Sequence, residues 1–316
     1  MKRPLSIVYM GTPDFAVPPL KALIAHGHTV LAVVTQPDRP KGRGRRLVPP
    51  PVKDAALELG LSLIQLETVR TNAFHQKMRD LSPDLMVVTA FGQILPPSLL
   101  DIPKMGAINI HASLLPRYRG PAPIQWAIIR GETQTGITTM MMDQGVDTGD
   151  ILLAQKTPIR PWDTAQTLHD RLSQMGAETL IQTLDAMADG MHVPIPQDPA
   201  KATWAPLLTK EDGRINWSLS ADRIDRQIRG LFPWPGAFTF YEGMRLKIYK
   251  AHVVSHDLAN TEAAPGTLVQ CHSGSLYVAT GKGILAITEI QGKSGKRLGI
   301  DDFLCGCRLV TGTCMG

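Results

Sequence analysis

The sequence is short of the features that most quickly place a chain in a class. Cysteine is scarce and late, with only Cys271, Cys305, Cys307 and Cys314 in 316 residues. "CGC" offers neither Cys-x2-Cys nor partner histidines, so reduced thiols are expected in place of a disulfide framework or a metal site. No stretch approaches the roughly 20 apolar residues that a spanning helix needs, so no membrane partner is expected. The opening "MKRPLSIVYMGTPDF" has two early cations, but its apolar run is short and Asp14 interrupts it. It reads as a first strand, not a secretory signal, and a cytoplasmic monomer is expected. There is no internal repeat and no low-complexity tract. The turn after the first strand carries only Gly11 where a dinucleotide site would want G-x-G-x-x-G, although it stands where an open α/β sheet could wall an amino substrate. A covalent nucleophile is also missing: Ser113 sits in "HASLLP" without a G-x-S-x-G elbow. The net charge of +5 is mild, which leaves the local clustering of cations as the informative quantity.

What is present is an alternation of two periods. "LSIVYM" (5–10), "TVLAVVT" (29–35) and "DLMVVTAFG" (84–92) are short, continuously apolar and rich in β-branched residues, as strands buried on both faces are. Helical spacing appears near 14–26, 50–60, 70–81 and 164–190, the last closed by Gly190. Further strands are expected at 106–110 and 136–142. This pattern predicts an α/β fold with a doubly wound, Rossmann-like parallel sheet over 1–190. Residues 191–209 are proline-rich and polar and read as a linker. Beyond them, over 210–316, short strand-like runs such as "RLKIYKAHVV" and "GILAITEIQ" come at regular spacing with glycine between, which suggests a small OB-like β-barrel.

The stretch "INIHASLLPRYRGPAPIQWAII" (108–129) begins as a buried strand and then presents an amide and an imidazole. Side chains alternate along a strand, so Asn109 and His111 share a face. A neutral imidazole can take a proton near neutral pH, and an amide N–H can hold a developing oxyanion. What the pair lacks is a carboxylate to orient the ring, and "MMMDQGVDTGDILL" supplies Asp143, Asp147 and Asp150 in a glycine-containing loop. By residue type alone, a core histidine and three turn acids account for the same residues, and the sequence does not show that they converge. Such groups suit direct transfer to an incoming nucleophile better than a covalent scheme.

"INIHASLLPRYRGPAPIQW" together with "MDQGVDTGDIL" resembles the formyltransferases that use 10-formyltetrahydrofolate, whose signature is Asn-x-His, Ser-Leu-Leu-Pro and a downstream Asp. The resemblance implies that Asn109 stabilises a tetrahedral oxyanion, that His111 serves in proton transfer and that Asp147 positions it. It also implies a folate pocket formed by Phe91, Gly92, Gln93, Ile94 and Leu95, by Ser113, Leu114, Leu115 and Pro116, and by Asp143, Gln144, Gly145 and Val146. No metal is implied.

The loop "TQPDRPKGRGRRLVPPPVK" (35–53) crowds Arg39, Lys41, Arg43, Arg45 and Arg46 together. A charge run is usually a solvated face, but five cations on a glycine-hinged loop also suit a phosphate backbone. A loop of this kind resembles that of the family members that formylate initiator methionyl-tRNA, and the likeness runs nearly end to end. It implies initiator methionyl-tRNA as partner, a second domain that binds it, and contacts from Lys210 and Arg214. The family often has a lysine where this chain has Leu207, so contact there is discounted. The rival acceptor is an amino-sugar nucleotide, which needs the same Asn, His and Asp. A non-catalytic RNA-binding protein on the same fold is the rival of a different class, and the intact Asn109, His111 and Asp147 weigh against it.

Overall fold

The run Ser6–Gly11 becomes β1 because it can be covered on both faces, and five of its six residues are buried. In the computed structural model, which describes residues 4–41, 46–191, 193–254, 262–272 and 274–316, the chain forms two compact units. The first comprises Met1–Pro123, Gln134–Pro158 and His169–Ala205, and the second comprises Ile124–Thr133, Ile159–Leu168 and Pro206–Gly316.

The strands up to residue 158 are β1, β2 (Thr29–Thr35), β3 (Arg39–Lys41), β4 (Arg46–Val48), β5 (Leu63–Gln65), β6 (Leu85–Thr89), β7 (Ala107–His111), β8 (Gln134–Met141) and β9 (Ile151–Pro158). The helices are α1 (Val17–Ala25), α2 (Pro51–Glu58), α3 (Asn72–Leu81), α4 (Pro97–Leu100), α5 (Pro123–Ile129) and α6 (Ala165–Ala188). Seven strands share one sheet in the order β5-β2-β1-β6-β7-β8-β9. The first five run parallel, as expected of a doubly wound domain, but β8 pairs antiparallel with β7, and β9 antiparallel with β8. The sheet is therefore mixed, and the strand expected at 136–142 continues through a loop straight into a partner, without a crossover helix.

Helix α3 shows how the sheet is covered. Thr71 caps it, its hydroxyl accepting from the Phe74 N–H at 3.2 Å. Phe74 and Met78, one turn apart, then pack with Val8, Met10, Val34, Met86 and Val88 in one buried cluster. Each side chain buried in this way stabilises the unit by roughly 1.5–3 kcal/mol.

In the second unit, β10 (Ala237–Tyr241), β11 (Met244–Val253), β12 (Leu268–His272), β13 (Ser275–Ala279), β14 (Ile284–Gln291) and β15 (Arg297–Gly299) pair antiparallel throughout. The order β10-β11-β14-β13-β12, with β15 on β14, fits the small barrel expected for this half. Helix α7 (Ala221–Gly230) starts at Ser220, whose hydroxyl accepts from Arg223 N–H, and buries Ile224 and Ile228 with Leu246, Ile248, Leu285 and Ile287. Helix α8 (Ile300–Gly306) adds Ile300 and Phe303 to the same core. Among the described residues, no helix is long and apolar enough to cross a membrane.

Residues 191–205, expected to lie in a linker, belong to the first unit. Ile195 and Ile151 exchange both backbone hydrogen bonds at 2.9 Å, Arg119 N–H donates to Thr203 O, and Ala205 N–H donates to Arg119 O. Isolated bridges such as these leave no periodic trace in a proline-rich sequence, because each fixes one or two residues and no repeating face.

Candidate active site

Asn109 and His111 stand on one face near the carboxyl end of β7, as period two requires. The acidic loop does not approach from a strand end on the same edge of the sheet as the carboxyl end of β7. Because β8 runs antiparallel to β7, Met141 lies opposite Ile108, and the loop leaves the sheet below both residues. It then folds back across their face. Gly149 permits this, since a Cβ there would stand 1.8 Å from Met141 O.

Asp147, at φ +54°, brings its carboxylate to both residues. Oδ1 accepts from Asn109 Nδ2 at 3.4 Å, and Oδ2 lies 3.5 Å from His111 Nδ1. Oδ2 also accepts from the Gly120 backbone N–H at 2.8 Å. His111 is 5% exposed, and its Nε2 lies 2.9 Å from Tyr118 O. A carbonyl can only accept, so Nε2 carries a hydrogen, and Nδ1 is the nitrogen that faces Asp147. The same logic orients Asn109, because turning its oxygen toward the carboxylate would oppose two acceptors. Asp143 instead closes its own turn on Gly145 N–H and Thr148 Oγ1, and Asp150 is half-buried beyond it.

The segment 118–120 thus touches both titratable groups through its backbone. Tyr118 at φ +62° and Gly120 at φ +110° make that possible. The Arg119 side chain between them, 6% exposed, donates through Nε and Nη2 to Gln197 Oε1 at 3.1 and 2.7 Å. Neither Arg119 nor Gln197 was singled out from sequence, since one reads as a loop cation and the other as linker.

The residues expected around a folate are only partly gathered. Ile94, Leu95 and Gln144 line a cleft of about 650 Å³ whose rim includes Arg70, His75 and Arg79. Phe91 is buried, Gly92 turns the chain at φ +87°, and Gln93 bonds Val69 N–H and Glu67 O. Ser113 is fully buried and donates its hydroxyl to Arg117 O at 2.7 Å, so a ligand contact by that hydroxyl would have to break this bond. Leu115 is buried, Leu114 and Pro116 are half-buried, and Asp143, Gly145 and Val146 are exposed. Among the described residues, no group of three His, Cys, Asp or Glu side chains is placed to hold a metal ion.

The basic stretch forms an antiparallel ribbon, with Arg39 opposite Val48 and Lys41 opposite Arg46. Arg39 donates to Glu67 at 2.9 Å in an exposed pair, and Arg46 is exposed. Arg43 and Arg45 lie outside the described residues. At the ribbon's base, Asp38 accepts from Gln65 Nε2 and from Lys53 Nζ, each at 2.8 Å, which holds its carboxyl below the ordinary range. A smaller cleft of about 240 Å³ lies there between Thr12, Gln36 and Arg39, beside the turn that follows β1. In the second unit, Lys210 is exposed and the Arg214 guanidinium stands 5.8 Å from the Phe240 ring centre.

A family model described as formyl transferase matches residues 5–184, and one described as the formyl transferase C-terminal domain matches residues 207–308. The methionyl-tRNA formyltransferase of Citrifermentans bemidjiense is 52% identical over 312 residues, covering 99% of this chain and 96% of its own. That of Geobacter metallireducens is 53% identical over 312 residues and covers 99% of each chain. Among solved structures, an N-formyltransferase from Helicobacter canadensis in complex with folinic acid and dTDP-3-aminofucose gives a TM-score of 0.66 at 18% identity, over 90% of this chain and 98% of its own. HypX from Aquifex aeolicus in complex with tetrahydrofolic acid gives 0.66 at 16% identity, over 96% of this chain and 47% of that one. At those identities the two structures bear on the fold alone.

Proposed function

The chain belongs to the formyl transferase family, and from that premise we propose that it transfers the formyl group of 10-formyltetrahydrofolate to the α-amino group of methionine on initiator methionyl-tRNA. The observation that carries the chemistry is the meeting of Asn109 and His111 on the two oxygens of Asp147.

The neutral α-amine attacks the formyl carbon, and the carbonyl oxygen becomes an oxyanion. A second negative charge beside Asp147 is unfavourable unless His111 is protonated, and Nδ1 is the nitrogen free to take that proton. The Asp147–imidazolium pair is then neutral overall. Asn109 keeps one amide hydrogen on Asp147 and has the other for the oxyanion. Collapse of the tetrahedral intermediate breaks the bond between the formyl carbon and folate N10. The amine gives up a proton as the new amide forms and N10 gains one, so N-formylmethionyl-tRNA and tetrahydrofolate leave. The cations beside Ile94 and Leu95 suit the carboxylates of a folate tail, and the exposed Arg39 and Arg46 of the β3–β4 ribbon suit phosphates of the acceptor end.

Formyl transfer onto initiator methionyl-tRNA with 10-formyltetrahydrofolate as donor tests this reading directly. An amino-sugar nucleotide serves as the competing acceptor in the same assay. Formylation of the sugar with none of the tRNA would overturn the acceptor assignment.

A further inference from the structure

We propose that Gln197 is a positioning residue for formyl transfer, held by Arg119 and acting through the backbone of the loop that carries Asp147. The proposal rests on the catalytic reading of Asp147 given above. Its basis is one amide group with all of its bonding settled. The buried guanidinium of Arg119 has only donors, so the Gln197 oxygen must face it, at 3.1 Å from Nε and 2.7 Å from Nη2. That fixes the amide nitrogen on the opposite side. There its two hydrogens meet Asp147 O at 3.0 Å and Gly149 O at 2.7 Å.

Asp147 therefore has two supports. Its carboxylate is held by Gly120 N–H, and its main chain by Gln197. The loop needs the second support because it folds back from the sheet on an exposed stretch, 143–146. Both supports trace to one short segment. Gly120 donates to the carboxylate, Arg119 holds Gln197, and Tyr118 O fixes the hydrogen on His111 Nε2. Segment 118–120 is in turn fastened to 203–205, through Thr203 Oγ1 on Tyr118 N–H and the backbone exchange of Arg119 with Thr203 and Ala205. A shift of this segment would move the acid and the imidazole together, whereas loss of Gln197 would release only the acid.

The substitution that separates these roles is Gln197→Glu. It keeps length, shape and the bond to Arg119, but replaces the two donors with an acceptor facing two carbonyls. The variant is expected to melt close to the wild-type temperature. Its kcat should fall roughly 10–100-fold, the scale of a misplacement of about 1 Å, with the KM for each substrate within about threefold. The decisive measurement is a double-mutant cycle with Asp147→Asn. If Gln197 acts through Asp147, Gln197→Glu lowers kcat in the otherwise wild-type protein and adds little in the Asp147→Asn background. An equal fold loss in both backgrounds would mean that Gln197 merely supports the fold, and the proposal is overturned. A kcat within twofold of wild type for Gln197→Glu, with Asp147→Asn severely impaired, overturns it as well. Near-normal turnover of Asp147→Asn alone would instead sink the catalytic reading of Asp147. Should Gln197→Glu fail to fold, Arg119→Lys is read in the same cycle. A lysine offers the Gln197 oxygen one donor where the guanidinium offers two, and the same non-additivity is expected.

Discussion

A hydrogen on Nε2 of His111 and a carboxylate across from Nδ1 set what each residue should contribute. Asn109→Ala is expected to lower kcat by about 10²–10³, the usual cost of one lost oxyanion donor, and His111→Ala by about 10²–10⁴, the usual share of a positioned proton carrier, with tRNA affinity nearly unchanged. Steady-state kinetics with a separate tRNA-binding measurement checks this, and near wild-type turnover in either variant contradicts the assignment. Asp147→Asn is a clean probe because asparagine, like aspartate, tolerates the left-handed backbone found here. It can still accept from Gly120 N–H, yet it lacks the charge that pairs with an imidazolium. A steep loss of rate with an intact melting temperature is expected, and a mild loss matching that of Asp143→Asn would leave the acid unassigned. Residue-level reading of the sequence reached Asn109 and His111 through strand alternation, which is a local rule. It could not choose among Asp143, Asp147 and Asp150, since that choice depends on how a loop folds back, and resemblance alone pointed to Asp147. Gln197 left no signal, because it works on backbone carbonyls that any sequence would present.

Among the elements, the parallel strands other than β5, most helices and the barrel strands β11 to β14 were readable from period and composition. The direction of β8 was not, because an antiparallel strand in a buried sheet has the same apolar run as a parallel one. Strand β9, half-buried or exposed over most of its length, was not legible as a strand at all. The β3–β4 ribbon was hidden for a different reason: cations and a proline interrupt any alternation, and its ladder spans only three positions a side. Its base is testable. Gln65 first, and then Lys53, bond the ionised form of Asp38 and lower its carboxyl pKa. A lowered carboxyl contributes stability that is present above the unfolded value, about 3.9, and is lost as pH falls through the folded value. Asp38→Asn should therefore melt below wild type at pH 7, and the gap should close as the pH is brought below about 4. A gap that persists unchanged in acid would show that the ion pair is not its cause.

At the scale of the whole molecule, the division into an α/β unit and an antiparallel unit was visible in the change of period. The fastening of 191–205 to the first unit was not, since single bridges have no pattern. If the basic loop 35–53 meets tRNA, the double substitution Arg43→Ala/Arg45→Ala should weaken tRNA use and flatten its salt dependence. Removing one cation from a phosphate lowers the log–log slope by about 0.9 on duplex. Folate affinity should not change, and normal tRNA formylation by the double variant at physiological salt would make the loop a solvated face only. A different kind of consequence follows from the backbone at Ala90, Tyr118 and Asp147, whose φ values are +46°, +62° and +54°. Side chains in that region cost on the order of 1–3 kcal/mol each, least for aspartate. Turnover and heat resistance therefore pull in opposite directions on this chain. In a mutant library recovered only for surviving heat, glycine should accumulate early at position 90. Selection for growth that depends on formylation should hold the residues at 118 and 147 as they are.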